Sequence, residues 1–275
     1  MASHRSRAGR GVAGAALAFS LSALTGCTGS AAEPQRTSPP VRLPPRGASF
    51  DYQIGGAYPP PPGTRVLSRD RTDSPAPGRY NICYVNAFQV QPGAEQRWPR
   101  RLLLRIPGGR PVIDTDWDER LLDLSSADLR RDAAARVGRW IDGCARSGFD
   151  AVEFDNYDSY TRSRGLLRSS DATAYLRLLA DRAHRRGLAA GQKNTAELAG
   201  QRARVGLDFA VTEECGAYRE CGTYLRAFDG RVVDVEYTDS GLRAACTRFG
   251  RSLSVIRRDV AVSVPGANGY VRRGC

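Results

Sequence analysis

Two strand-like stretches of this chain each end in acids. One is Ala151-Val152-Glu153-Phe154-Asp155-Asn156; the other is Leu207-Asp208-Phe209-Ala210-Val211-Thr212-Glu213-Glu214-Cys215. Crowded carboxylates repel and shift one another's ionisation, so two such clusters at equivalent strand ends point to acid/base chemistry. Other candidate strand ends add Tyr84 and Asn86, Lys193 and Asn194, and Glu236 and Tyr237. Asp51 lies on the first candidate strand, and Asp123 follows a loop containing Trp117. Carboxylates, amides and aromatic rings around one opening suit a sugar, whose hydroxyls need polar partners and whose ring faces need aromatic surface. Lys193 is the only lysine; it is expected to pair with Asp155 or Glu153 and to tune their ionisation. Tyr84 and Tyr237 read either as substrate contacts or as wall aromatics, and Glu153 either as a substrate contact or as a buried ion-pair partner.

The histidines are His4 and His184, and no CxxC occurs. This speaks against a Ser-His-Asp triad and a histidine-rich zinc site, and neither metal nor cofactor is expected. His184, set among arginines, is expected on an exposed helix face.

The elements that must position these groups alternate. Strand patterns fall at Asp51–Ile54, Arg65–Arg69, Asn81–Ala87, Asp150–Asp155, Leu188–Lys193, Phe209–Glu213, Val232–Glu236 and Leu253–Arg257. Helical periodicity falls at 126–147, 170–186, 195–204 and 240–249. Strands alternating with helices predict parallel strands with crossovers, and eight of them predict a single-domain α/β fold, a closed (β/α)8 TIM barrel. An open doubly wound sheet is the alternative, but no Gly-rich nucleotide loop follows the first strand. In a barrel the reactive groups sit at the C-terminal strand ends, where the acids lie. Side-chain alternation turns Ala151, Glu153 and Asp155 to the axis and Val152 and Phe154 to the helices. In 207–214 the same rule turns Leu207, Phe209 and Val211 to the helices, Glu214 inward and Glu213 outward. A bulge would reverse that phase, and the choice between Glu213 and Glu214 stays open on these grounds.

The N-terminus reads as an export leader. Residues 1–26 carry a basic start and an uncharged small or apolar stretch, and Leu24-Thr25-Gly26-Cys27 looks like a bacterial lipobox with Cys27 lipidated. Residues 27–48 are Pro-rich and predict a spacer, leaving 49–275 as the domain. The protein is expected to be exported, either lipid-anchored on the outer face of the bacterial cell membrane or extracellular, with membrane contact through the lipid alone. Six further cysteines favour disulfides in such a location; the expected pairs are Cys83–Cys144, Cys215–Cys221 and Cys246–Cys275. The net charge of +12 suggests nucleic acid at first sight. The basic residues are almost all arginine, scattered, and without a recognition motif, so no nucleic-acid partner is expected. A monomer is.

VEFDN at 152–156 with Tyr160, QKN at 192–194, FAVTEEC at 209–215 with Cys221, and VEY at 235–237 together resemble glycoside hydrolase family 114, the endo-α-1,4-polygalactosaminidases and spherulin-like proteins. The likeness runs from about Asp51 to Ile256. It implies a TIM barrel, a cationic amino-sugar polymer as substrate, and catalysis by Asp155 and Glu213, the latter against the alternation rule. Asn156, Glu153, Glu214 and Glu236 then join the substrate-contact candidates. Phe154, Thr212 and Glu214 depart from the family's proline, asparagine and glutamine. A carbohydrate-binding envelope lipoprotein of weak or no activity is the alternative function.

Overall fold

The computed structural model describes residues 40–275; the leader and Cys27 lie outside the described residues. Eight strands run parallel in chain order: β1 (Phe50–Gln53), β2 (Val66–Asp70), β3 (Tyr80–Asn86), β4 (Ala151–Asp155), β5 (Ala189–Lys193), β6 (Phe209–Glu213), β7 (Val232–Glu236) and β8 (Ser254–Arg258). A ninth, β9 (Arg272–Gly274), runs antiparallel along the outer edge of β8. Helices α1 (Ala127–Ser147), α2 (Ser169–Arg185), α3 (Arg202–Val205), α4 (Cys221–Ala227) and α5 (Asp239–Phe249) pack outside the curled sheet. The described residues belong to one compact unit.

The expected closed barrel is corrected in one respect: no hydrogen-bonded ladder joins β1 to β8 among the described residues, and the sheet stays open at that seam. The edge of β8 over Ile256–Arg258 is taken by β9 instead. The two end strands still approach one another. Phe50 and Tyr52 of β1 share one buried apolar cluster with Ile256 of β8 and with Val262, and Arg272 Nε reaches Asp51 Oδ1 at 2.9 Å. The backbone at Gly55 lies so close to the Val262 carbonyl that a Cβ has no room.

The helices form where periodicity and caps agree. Ser126 accepts from Leu129 N at 3.2 Å to start α1, and Gly148, at φ 91°, ends it; Gly supplies that left-handed stop without steric cost. Its buried face carries Ala133, Val137, Ile141 and Cys144. The segment expected as a helix at 195–204 is mostly a 3-10 turn, Ala196–Gln201, with only α3 after it. The short α4 and a three-stranded antiparallel sheet, Gln89–Val90, Ile113–Asp114 and Glu119–Leu121, have no counterpart in the sequence expectation. Strands of two or three residues leave no periodicity to read.

In β4 the alternation holds: Ala151 joins the interior apolar cluster, Val152 and Phe154 the helix-side one. In β6 it is inverted. Phe209 and Val211 face the interior and Ala210 faces the helices. The interior is filled by large side chains set against small ones: a Cβ on Gly191 of β5 would meet the Phe209 ring at 2.5 Å. Phe209 fills the space that Gly191 leaves, and this carries Glu213 inward on the same face.

Three disulfides join the expected pairs, Cys83–Cys144, Cys215–Cys221 and Cys246–Cys275. The first ties the outer face of β3 to α1. The end of the Pro-rich stretch is part of the folded base: Tyr80 Oη donates to the Arg42 carbonyl at 2.8 Å, and Pro44 and Ala48 are buried. His184 is half-buried, its Nε2 2.7 Å from Asp208 Oδ2, which corrects the exposed reading. The Asp208 carboxylate raises its pKa against the opposing effect of burial.

Candidate active site

Asp155, Lys193 and Glu213 end β4, β5 and β6, three consecutive neighbours in the sheet. Each is followed by a residue in the left-handed region: Asn156 at φ 66°, Asn194 at 48° and Glu214 at 58°. Asparagine adopts this conformation readily; glutamate does so at a cost. With the phase of β6 inverted, Glu214 falls off the inward face that the sequence expectation assigned to it, and of the two glutamates Glu213 points to the axis.

Lys193 is the hub. Its side chain is 3% exposed, and Nζ lies 3.0 Å from Glu153 Oε1, 3.1 Å from Asp155 Oδ1 and 3.5 Å from Glu213 Oε2. Nζ also donates to Tyr52 Oη at 3.0 Å. Burial alone would lower its pKa; Asp155, Glu213 and Glu153 outweigh that and hold it well above the usual lysine value. Asp155 Oδ2 accepts from Tyr84 Oη at 2.5 Å. Burial pushes the Asp155 carboxyl up, but Lys193, the Tyr84 hydroxyl and the Asn156 backbone N–H prevail and hold it below the usual range. Asp155 is therefore a carboxylate at neutral pH. Glu213 accepts from Asn194 Nδ2 at 3.0 Å and from the Tyr237 hydroxyl, while its own N–H donates to Asn194 Oδ1 at 2.7 Å.

Asp155, Lys193, Glu213, Tyr84, Asn194 and Tyr237 line a pocket of about 340 Å³ together with Asp114, Asp116, Trp117, Glu119, Asn156, Asp158 and Arg162. Trp117 is 59% exposed, a free aromatic face at the rim. A larger cavity of about 660 Å³ lies at the opposite end of the strands, around Arg42, Arg65 and Arg79, and holds none of the strand-end acids.

Other expected contacts fall elsewhere. Glu153 is fully buried beneath Lys193, taking hydrogen bonds from Tyr52 Oη at 2.8 Å and Ser68 Oγ at 2.7 Å. Asp51 is buried in the seam, held by Gln53, Tyr58 and Arg272. Glu236 is buried and accepts from Gly216 N at 2.6 Å. Asp123 caps the approach to α1 through Ser125, outside the pocket lining. Asn86 sits one layer down and donates to Glu119 Oε2 at 2.8 Å.

Sequence reasoning missed Glu119, Asp114 and Arg162. Glu119 reaches the pocket from the small antiparallel sheet, with Asn86 and Asn156 as donors. Burial, helped by Asp155 and Asp114, pushes its carboxyl up to about 7 against Asn86 and Arg162. Arg162 joins Asp114 at 2.6 Å and Asp158 at 2.8 Å. The run Asp114-Thr115-Asp116-Trp117-Asp118-Glu119 was the available signal: acids around a tryptophan in a tight hairpin.

The model of glycoside-hydrolase family GH114 matches residues 30–275. The crystal structure of Aspergillus fumigatus Ega3 in complex with galactosamine is similar in fold, with a TM-score of 0.71 and 22% identity, covering 87% of this chain and all of that one. The glycoside hydrolase domain of PelA from Pseudomonas aeruginosa follows at 0.54 and 16% identity, covering 80% and 97%. No curated protein matches the chain.

Proposed function

From the premise that this chain belongs to glycoside-hydrolase family GH114, and is thus a glycosidase, we propose that it cleaves an α-1,4-linked galactosamine-type polysaccharide with Asp155 and Glu213. One observation carries this reading: both carboxylates converge on a single buried ammonium at the floor of an open, acid-lined pocket. A structural relative holding galactosamine supports the sugar, and an acidic pocket attracts a cationic polymer.

Asp155, held ionised, is the nucleophile; Glu213 is the acid and base. Glu213 passes a proton to the leaving oxygen as the Asp155 carboxylate attacks the anomeric carbon and the glycosidic C–O bond breaks. Glu213, now a carboxylate, takes a proton from water, whose oxygen displaces Asp155 from the same carbon. The contacts of 3.1 and 3.5 Å to one Nζ bound the separation of the two carboxylate oxygens. Laid end to end they only reach the bottom of the inverting range, about 6.5–9.5 Å, and any bend at Nζ brings them toward the retaining separation of about 5–5.5 Å. Retention of configuration is thus the favoured outcome. Tyr84, Asn194 and Tyr237 hold the pair in place, and Asn156, Asp116 and Trp117 face the bound sugar.

The test is incubation of the protein with α-1,4-galactosamine oligomers beside Asp155→Asn and Glu213→Gln. Cleavage by wild type with anomeric retention, and loss by about 10³-fold or more in both variants, is expected. Equal activity in all three removes the residue assignment. Binding without cleavage by wild type favours the non-catalytic reading.

Export and lipid attachment at Cys27 complete the proposal. Three disulfides support an oxidising location, and no described helix is long and apolar enough to cross a membrane. Fatty-acid labelling of the wild type that persists in Cys27→Ser would remove Cys27 as the attachment point.

A further inference from the structure

The cleft does not end at Glu213. A second pocket of about 550 Å³ opens beyond it and shares Glu213, Asn194, Tyr237 and Trp117 with the first. Its own walls bring Glu214, Tyr218, Glu220 and Tyr224. Tyr218 and Glu220 belong to one loop, 216–220, closed at its base by the Cys215–Cys221 disulfide; Glu214 directly precedes that loop, and Tyr224 lies in α4 just after it. Backbone bonds brace the same loop: Tyr218 N donates to Glu214 O at 2.9 Å and Glu220 N to Cys215 O at 2.8 Å. Loop side chains fixed in this way lose little freedom when a ligand arrives.

Two features of this wall point to a ligand. Tyr218 is 66% exposed, an uncovered aromatic face on a stapled loop beside the reacting pair. Buried Tyr224 lies behind it. Secondly, Glu214 and Glu220 bring two carboxylates to this wall in a chain rich in arginine. Asp142 takes both Arg182 and Arg186, and Asp150 takes Arg42; among the described residues neither Glu214 nor Glu220 has an ion-pair partner. Arg219, between them in sequence, is not among the residues that line the pocket. The left-handed backbone at Glu214 takes its carboxylate off the barrel axis and onto this wall. Burial, with Glu197 nearby, raises the Glu220 carboxyl, which a cationic ligand would reverse.

We propose that this second pocket is a subsite for the sugar unit on the leaving-group side, taking a cationic amino sugar with its ring on Tyr218 and its ammonium held by Glu214 and Glu220. The side follows from Glu213, the proton donor to the leaving oxygen, which stands at the border of the two pockets; the inference rests there on the proposed roles of Asp155 and Glu213. A neutral N-acetylated unit finds two carboxylates and no countercharge. The subsite therefore discriminates against acetylated polymer.

The test separates the two readings. Galactosamine tetramer and N-acetylgalactosamine tetramer are titrated calorimetrically into Asp155→Asn protein, which binds without turnover. The same titrations are made with Glu214→Gln/Glu220→Gln and Tyr218→Ala added to that background. The background binds the free-amine tetramer at least about tenfold tighter, and the double glutamine change brings the two sugars to near equality. Tyr218→Ala weakens both alike. Undiminished discrimination in the double variant overturns the subsite, as does a background that binds both sugars equally. Cleavage by wild type is measured alongside: if galactosamine polymer stays intact while the binding difference stands, the catalytic assignment fails and the subsite survives.

Discussion

Methionine at position 193 would keep the length of the lysine stem and delete one charge. In the native protein that charge touches Asp155 at 3.1 Å and Glu153 at 3.0 Å with almost no water around it. Two unit charges about 4 Å apart are worth about 4 kcal/mol at an effective dielectric of about 20. Loss of the ammonium therefore lifts the Asp155 carboxyl from below its ordinary value to above it, because burial then acts without its main opponent. Only the Tyr84 hydroxyl and the Asn156 N–H then oppose burial. In wild type the depressed Asp155 contributes stability above its unfolded pKa and loses it as pH falls through the folded one. In Lys193→Met the sign reverses, and stability declines as pH rises from the unfolded value toward the raised folded one. The assay is the pH profile of kcat/KM on galactosamine oligomers. Its acidic limb moves to higher pH, with activity at about pH 5 falling about tenfold or more. Removing one partner of a buried pair also costs stability, about 3–5 kcal/mol. Glu153→Gln/Lys193→Met removes the orphaned carboxylate as well and separates folding loss from ionisation. A limb that stays within about half a unit of wild type in the folded variants would refute the role given to Lys193.

Gly191→Ala sets a methyl carbon against the Phe209 ring at 2.5 Å; the midpoint of denaturant unfolding should fall by about 1–3 kcal/mol equivalent, and Phe209→Leu should restore part of it. Cys83→Ser/Cys144→Ser opens a crosslink over a sequence separation of 61, expected to cost about 4 kcal/mol in thermal melts under oxidising conditions. Asp234, buried against Glu236, is raised well above the usual carboxylate range by burial first and Glu236 second. Its stabilising effect is complete below the unfolded pKa and declines as pH rises toward the folded one. Asp234→Asn keeps the acceptor for Thr212 Oγ1 and should flatten that decline in melts taken between about pH 5 and 9.

The sequence shows the order of the eight parallel strands plainly, because each strand of four or more residues lies between turn or helix signals. Asp155 and Lys193 were legible for the same reason: they end strands whose alternation holds. Glu213 was not legible from alternation. That rule turned Phe209 and Val211 to the helices, whereas the interior pairs Phe209 with Gly191 of the neighbouring strand, a fit that the pattern of one strand alone does not show. Asp51, Glu153 and Glu236 show the opposite limit. Their type suggested sugar contacts, but their depth in the fold gave them Arg272, Lys193 and Gly216 as partners. Glu119 came from a hairpin too short to leave a period.

The open seam has a consequence for assembly. Asp51 finds its countercharge in Arg272, 221 positions later, and β8 finds its edge partner in β9. The first strand thus waits for nearly the whole chain before its buried carboxylate is neutralised. Contacts of such sequence separation form slowly and late, and a nascent chain halted before residue 272 would expose an unpaired strand edge and an uncompensated charge. Completion of the fold is in this sense a zipper fastened from its two ends, with the Cys246–Cys275 bond as the clasp that keeps the last strand from slipping.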